Sequence, residues 1–186
     1  VSLPAGWEVR QPPDRAITLT ARQGSAAVFA QAADYLFAPA SAADSLEFWT
    51  AAAELMLGRT PSAHEVGEME RGAGDEAGAR FMITRAQSTD SALLALTALL
   101  AADTAGAVEQ TRIAEVRMLG ARRAGWIVQR TQREGAWWRR EGYITVYDGV
   151  VHGLIVQALD VDWAAHQALW RQVIASYVIY PSQSQL

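Results

Sequence analysis

Two tryptophans followed by two arginines, Trp137–Arg140, are the residues of this chain that most directly suggest a chemistry. Indole and guanidinium groups dominate binding energy at protein interfaces, so the chemistry indicated is recognition of a partner. In a strand, neighbouring side chains point to opposite faces, and the two tryptophans cannot both join one core. If Ile144 and Val146 face the core, the other face carries an aromatic row with an arginine: Trp137, Arg139, Tyr143 and Tyr147.

Arginine is concentrated around this row. Arg130, on the preceding predicted strand, is the fifth candidate binding residue, and eight arginines stand against two glutamates between residues 112 and 140. We therefore hypothesise that the face receives a protein or peptide, with acidic character. Two alternatives stay open. The acids of residues 44–78 could pair with these arginines across the sheet, or a helix at Ser91–Ala102 could cover the face and make it a second core.

Residues for catalysis or metal binding are few. The chain has no cysteine, which excludes disulfides, thiolate nucleophiles and Cys-ligated metals. Its histidines, His64, His152 and His166, form no HxH or HExxH pair, and there is no GxSxG, P-loop or GxGxxG motif. We expect no enzyme, no metal site and no cofactor.

Composition narrows the class of protein further. The 186 residues are 51% hydrophobic and 19% charged, with a formal net charge of −4. This composition excludes intrinsic disorder and argues against nucleic acid as the partner, although arginine and aromatic sheets do bind single strands. The longest apolar run, Ala92–Ala102, is too short to cross a bilayer, so we expect no membrane span.

Patterns in the first two thirds predict a mixture of strands and helices. Three strands are expected at Trp7–Arg10, Ala16–Thr20 and Ala26–Ala33. A helix is predicted from the stripe formed by Leu46, Trp49, Ala53 and Met56. A hairpin is predicted for His64–Glu70 with Ala79–Ala86. Ser88, Thr89 and Asp90 then precede an apolar helix through Leu93, Leu96, Leu99 and Leu100.

The last third predicts an antiparallel meander followed by a helix. Its four strands are expected at Glu109–Leu119, Gly125–Arg133, Ala136–Tyr147 and Val150–Ala158. Asp148-Gly149 is a strong hairpin signal, because both central residues of a type I′ turn need positive φ. A final helix, capped by Asp160 or Asp162, carries an apolar stripe from Trp163 to Tyr177. We expect one α+β domain over residues 1–181, an antiparallel sheet flanked by helices, and a tail over 182–186.

The opening Leu3-Pro4-Ala5-Gly6-Trp7-Glu8-Val9, the strands before a first helix, and a last helix ending Ile174-Ala175-Ser176-Tyr177 resemble the Mog1/PsbP-like superfamily. The resemblance implies an antiparallel sheet flanked by helices. It also implies action by binding, since no family catalytic residues carry over. It favours a bacterial, exported protein, periplasmic or extracellular.

Two other functions are compatible with the same elements. The chain could carry a small apolar ligand between the sheet and the leucine-rich helix, which would require an enclosed apolar pocket of roughly 300 to 1,000 Å³. A hydrolase would require a cleft with converging titratable groups. An exposed aromatic patch would instead favour the partner-binding hypothesis.

Overall fold

Strand-forming segments of the chain pair in one antiparallel sheet. The structure is a computed structural model and describes residues 1–10, 17–33, 49–50, 53–54, 57–73, 86, 89–102 and 108–180. Its strands are Glu8–Arg10 (β1), Ile17–Gln23 (β2), Ala26–Ala33 (β3), Val108–Leu119 (β4), Arg122–Arg133 (β5), Ala136–Tyr147 (β6) and Val150–Leu159 (β7). Among the described residues they form a seven-stranded sheet in the order β1-β2-β3-β7-β6-β5-β4. The N-terminal strands and the C-terminal meander are therefore confirmed.

Two-residue turns join the strands of the meander. Asp148 and Gly149 have φ of 51° and 74°, and Glu134 and Gly135 have φ of 51° and 78°. Both pairs have the positive φ that a type I′ turn requires at each central residue, as Asp148-Gly149 predicts. These turns fix the register that places Trp138 of β6 opposite Thr131 of β5.

The predicted strand at His64–Glu70 is wrong, because this segment lies within a helix, Ala63–Ala73 (α1). Ser62 and Glu65 begin it with a capping box. The Ser62 hydroxyl accepts the Glu65 amide at 3.3 Å, and the Glu65 carboxylate accepts the Ser62 amide at 2.8 Å. Each side chain thus satisfies a backbone donor that the first helical turn leaves free.

The rest of the predicted hairpin and of the first helix is described only in part. Of Ala79–Ala86, residue Ala86 alone is described, and it is helical and buried. Trp49 and Ala53 of the first predicted helix are helical and buried, as their stripe predicts, while Leu46 and Met56 lie outside the described residues.

The leucine-rich helix, Asp90–Ala102 (α2), is confirmed and packs on one face of the sheet. Thr89 caps it by accepting the Ala92 amide at 3.2 Å. Its Leu96 packs with residues of β6 and β7 on what we call the α2 face: Ile144, Val146 and Val151. Ile144 and Val146 therefore face a core, as predicted.

The final helix, Trp163–Ala175 (α3), packs on the opposite face, the α3 face. Trp170 and Val173 are buried there against Tyr143 and Leu154 of the sheet. A 3₁₀ turn, Asp160–Asp162, leads into this helix.

Asp162 occupies the N-cap position of α3, as predicted, but its side chain makes no capping hydrogen bond to the helix. Asp162 accepts a hydrogen bond from the Ser25 hydroxyl at 2.8 Å. Asp160 instead accepts one from Arg130 Nε at 3.0 Å. Both carboxylates therefore tie the start of α3 to the sheet.

The fold class is an α+β arrangement with helices on both faces of an antiparallel sheet, as expected. In the described ranges, no helix is long and apolar enough to cross a membrane. The predicted tail, 182–186, lies outside the described residues. The single domain over 1–181 stays a prediction.

Candidate functional site

Strands β5 and β6 place the five candidate binding residues on the α3 face: Arg130, Trp137, Arg139, Tyr143 and Tyr147. The predicted side-chain alternation therefore holds. The helix at Ser91–Ala102 does not cover this face, because α2 lies on the other one, where Gly125 approaches Thr97. Helix α3 covers the middle of the candidate face instead, and this divides the five residues into separate environments.

Tyr143 is buried, with 4% of its surface exposed, and belongs to the core under α3. Its hydroxyl donates to Glu141 Oε2 at 3.3 Å, and the same oxygen accepts the Trp126 indole N–H at 3.1 Å. Burial, with the nearby charge of Glu141, raises the pKa of Tyr143 to about 12. The expectation that Tyr143 forms part of an exposed row is wrong, because the apolar stripe of α3 packs over it.

Tyr147 lies at the far end of β6 from Trp137. Ten residues of strand separate them, which is about 33 Å at 3.3 Å per residue. The Arg122 guanidinium lies over the Tyr147 ring, 3.7 Å from its centroid. Tyr147 and Trp137 therefore belong to two different surfaces.

The remaining three candidates meet at the end of the β5–β6 hairpin that carries the Glu134-Gly135 turn, which we call the ribbon end. Trp137 is half-buried, and Arg130 stacks on its ring at 4.7 Å. Arg130 also pairs with Asp160 at 2.9 Å. The Trp137 indole therefore contacts a guanidinium that is itself held in place by Asp160, and the rest of the indole is partly exposed to solvent.

Arg139 anchors the ribbon end to α3. Its guanidinium lies 4.7 Å from the ring centroid of Trp163, the first residue of α3, and pairs with Glu141 at 3.2 Å. Its Nε is buried without a hydrogen-bond partner. Arg130 and Arg139 therefore both have a carboxylate partner within the chain.

Positive charge without such a partner lies on the other face of the ribbon end. Arg140 donates to the buried amide oxygen of Gln129. Burial, and then the charge of Arg133, lowers the pKa of Arg140. In the part of the chain that the structure describes, neither Arg133 nor Arg140 pairs with a carboxylate. The face that carries Arg140 was predicted to be part of the core. Arg133 and Arg140 could have been recognised as a pair because side-chain alternation on the two paired strands puts both on one face.

The acids of α1 pair within their own part of the chain. Glu65 pairs with Arg59, and Glu68 pairs with Arg71. These two glutamates therefore do not form the cross-sheet ion pairs with the arginines of residues 112–140.

A pocket of about 290 Å³ lies between α2 and the sheet, at the end of β6 that carries Tyr147. Its lining is Ala86, Leu93, Ala121, Arg122, Arg123, Thr145 and Val146. Arg123 pairs with Asp90, whereas the Arg122 guanidinium lies over Tyr147 on the α3 face. Burial, and then the charge of Arg122, lowers the pKa of His152. The carrier alternative required an enclosed apolar pocket of roughly 300 to 1,000 Å³, and this space is slightly smaller and borders the Arg123–Asp90 ion pair.

The three histidines lie apart. His64 is exposed on α1, His152 is half-buried on β7, and the His166 ring lies 5.5 Å from that of Trp170 on α3. Within the described ranges, no three histidine or acidic side chains come together in a way that could hold a metal ion.

No protein-family model matches the chain, and no curated protein matches it. Two solved structures are similar in the arrangement of their elements. The crystal structure of PA94 from Pseudomonas aeruginosa, a protein of unknown function, is 12% identical, with 98% of this chain and 92% of that chain covered and a TM-score of 0.39. The solution structure of PsbP (CyanoP) from Synechocystis sp. PCC 6803 is 12% identical, with 96% and 84% covered and a TM-score of 0.46. A PsbP structure is thus among the matches, as the sequence resemblance implies, and a likeness of this extent says nothing about what the chain binds.

Proposed function

We propose that this chain is a non-catalytic binding domain that holds an acidic protein or peptide segment at the ribbon end. The observation that carries the proposal is that Trp137 is partly exposed and held in place by its neighbours. Its indole is half-buried beside Arg130, and Arg130 is fixed in turn by Asp160. A large aromatic side chain held in place before binding loses little conformational freedom when a partner docks.

The charge at the ribbon end supports an acidic partner. Arg133 and Arg140 lie close enough for the charge of one to lower the pKa of the other. A carboxylate from a partner would relieve this repulsion and pair with both guanidinium groups. Arg130 and Arg139, already paired, serve in this proposal to position Trp137 and Trp163.

The two tyrosines have other roles in this proposal. Tyr143 supports the sheet from the core, and Tyr147 lies too far along β6 to contact the same short segment. In this proposal the partner contacts both faces of the ribbon end, with Trp137 on the α3 face and Arg133 and Arg140 on the α2 face. Arg130 and Arg139 support Trp137 from within the chain. An exported, bacterial protein remains part of the proposal, on the sequence resemblance alone.

The alternatives fit the structure less well. A carrier of a purely apolar ligand would use the pocket between α2 and the sheet, but that pocket borders the Arg123–Asp90 ion pair, which such a ligand would desolvate without compensation. A hydrolase needs a base beside its nucleophile, and of the described histidines none donates to or accepts from a serine or a carboxylate.

Two labelled peptides of equal length test the proposal, one of glutamate, glycine and leucine and one of lysine, glycine and leucine. We expect the acidic peptide to bind, more weakly as salt is added, and the basic peptide not to bind. Trp137→Ala should weaken the acidic peptide by about 2 kcal/mol, or roughly 30-fold in Kd, as measured by fluorescence anisotropy.

Tyr147→Ala is the matched control, because it removes another arginine-stacked aromatic from the same face of the same strand. It should leave peptide affinity unchanged. Near-ultraviolet circular dichroism checks that both variants fold. Equal binding of the two peptides, no binding of the acidic one, or equal losses in the two variants would contradict the proposal.

A further inference from the structure

The α2 face of the ribbon end carries an indole of its own, that of Trp138. Strand register places Trp138 opposite Thr131, in the row of residues that lies between Arg133 and Arg140. Side chains two positions apart on a strand point to the same face, so the indole and both guanidinium groups share this surface. Trp138 is half-buried and Arg133 is exposed, whereas α2 packs toward the other end of these strands, near Ile144.

Arg140 is held in a fixed orientation on this surface. Its Nε donates to the amide oxygen of Gln129, which is 2% exposed. A guanidinium carries further N–H donors on its two terminal nitrogens, and these remain able to donate to a ligand. Burial, and then the charge of Arg133, lowers the pKa of Arg140, as expected for two positive groups that lie near each other. A negatively charged ligand would relieve this repulsion.

The carboxylates of the ribbon end do not balance these two charges. Glu141 pairs with Arg139 and Asp160 pairs with Arg130, and both pairs lie on the α3 face. Glu134 lies in the adjoining turn and, within the described ranges, forms no ion pair with either arginine of the α2 face. The α2 face of the ribbon end therefore has two positive charges that are open to a partner.

A phosphate group matches two such charges better than a carboxylate does. A phosphorylated side chain carries nearly two negative charges and three acceptor oxygens, so each guanidinium can donate to different oxygens of the same group. A carboxylate carries a single charge and balances one arginine. A nucleic acid strand presents a phosphate at every nucleotide and needs a longer basic track than one pair of arginines.

We infer that the acidic segment held at the ribbon end is a phosphorylated one, whose phosphate contacts Arg133 and Arg140 beside Trp138. This inference rests on the proposed function, because it specifies the anionic group of the same partner. It assigns the two faces separate tasks. Trp137, on the α3 face, contacts the segment whether or not it is phosphorylated, and the α2 face distinguishes the phosphorylated form.

Three labelled peptides test the inference. They share the glutamate, glycine and leucine composition of the acidic peptide and have serine, glutamate or phosphoserine at one central position. At about pH 7.5, we expect the phosphoserine peptide to bind at least about tenfold more tightly than the glutamate peptide in fluorescence anisotropy. The preference should shrink as the pH is lowered to about 5, because the phosphate loses its second charge near pH 6 while glutamate stays ionised.

Arg133→Gln and Arg140→Gln should each reduce the preference for phosphoserine over glutamate to less than about threefold. Trp137→Ala should weaken both peptides by similar factors and leave the preference unchanged. Arg171→Gln is the control variant, because it removes the same charge from an exposed position on α3, and it should keep the full preference. Near-ultraviolet circular dichroism checks that each variant folds.

The indole N–H resonance of Trp138 should shift when the phosphoserine peptide is added, and that of Trp126, which donates to Glu141, should not. Equal affinity for the phosphoserine and glutamate peptides, or a preference that persists in both arginine variants, would overturn the inference. Tighter binding of a single-stranded oligothymidylate than of the phosphoserine peptide would also overturn it, in favour of nucleic acid. If the two peptides bind equally and Trp137→Ala weakens both, the inference alone fails and the proposed function stands, whereas no binding of any peptide contradicts both.

Discussion

At the scale of single residues, the absence of a side chain at Gly125 sets the distance between α2 and the sheet. A Cβ at this position would lie 1.9 Å from Thr97 Oγ1 and 2.8 Å from Thr97 Cβ. Thr97 is fully buried and its hydroxyl donates to the Leu93 carbonyl at 2.7 Å. The side chain cannot swing away without breaking that bond, so the helix itself would have to move.

We therefore expect Gly125→Ala to lower the free energy of unfolding by about 1 to 3 kcal/mol, the usual range for overpacking a core. Gly67→Ala is the control, because nothing lies within 4 Å of a Cβ added there, in the middle of α1. It should raise stability by up to about 1 kcal/mol through helix propensity. Urea unfolding measures both. A loss in Gly67→Ala equal to that in Gly125→Ala would show that the close approach is not the cause.

The candidate binding residues show how far a sequence can specify a site. Alternation along β6 correctly placed Trp137, Tyr143 and Tyr147 on one face, because the side-chain period of a strand is two. It could not say which part of that face a helix would cover. The apolar stripe on α3 predicted that this helix packs on another element. The position of α3 over Tyr143 depends on contacts between residues far apart in the chain, which the stripe does not specify.

At the scale of elements, α1 is where the strand prediction failed. The segment His64–Glu70 was predicted to be a strand, but its two large apolar residues, Val66 and Met69, are three positions apart, which is a helical spacing and not the period of two of a strand. The same segment follows Ser62-x-x-Glu65, the sequence of a capping box, and Val66 is buried as one residue of a helical face. The local hydrogen bonds of the cap decide the outcome, and this signal was present in the sequence.

Glu65 should make the start of α1 sensitive to pH. Hydrogen bonds from Arg59 and Ser62 lower the pKa of Glu65 from 4.5 to about 2. A group whose pKa is depressed in the folded state stabilises that state above its unfolded pKa and loses the contribution as pH falls. We expect amide exchange in the first turn of α1, measured by NMR, to accelerate as pH is lowered from 4.5 toward 2, beyond the intrinsic change.

Glu65→Gln should remove most of this additional pH dependence. Glu68→Gln is the matched comparison, because Glu68 also pairs with an arginine but does not contact Ser62. It should leave exchange in the first turn unchanged. The same profile in both variants would exclude the capping box as the source of the effect.

At the scale of the whole molecule, one sheet separates two apolar clusters. Leu154 is fully buried in the cluster under α3, and Leu96 is fully buried in the cluster under α2. The two clusters share β6 and β7, so disturbing either one strains the same strands. We therefore expect the part of the chain that the structure describes to unfold as a single cooperative unit.

Leu154→Ala and Leu96→Ala should each lower the free energy of unfolding by about 2 to 5 kcal/mol. Both should shift the same transition, with near-ultraviolet and far-ultraviolet circular dichroism giving coincident curves. Thermal and urea scans provide the measurement. If either variant produced a second transition that left half of the signal in place, the chain would consist of two units and the single-domain prediction would be wrong.

The fold was predictable where local signals act alone. Strands β4 to β7 are consecutive in sequence and joined by short turns, so period and turn chemistry determine them. The pairing of β3 with β7 is different, because nothing local indicates that Ala27 lies opposite Gln157. Such distant pairings depend on which apolar surfaces are still exposed once the local elements have formed.

That pairing of β3 with β7 also bears on how the chain is made. The strands β1 to β3 leave the ribosome before β4 to β6, and their neighbour in the sheet, β7, follows only after those strands. Until then, the inner edge of β3 has backbone donors and acceptors without strand partners, which invites association with other nascent chains. The meander can form from short-range contacts, whereas β3 and β7 pair residues 130 positions apart, such as Ala27 and Gln157, so we expect this pairing to be the slowest step of folding.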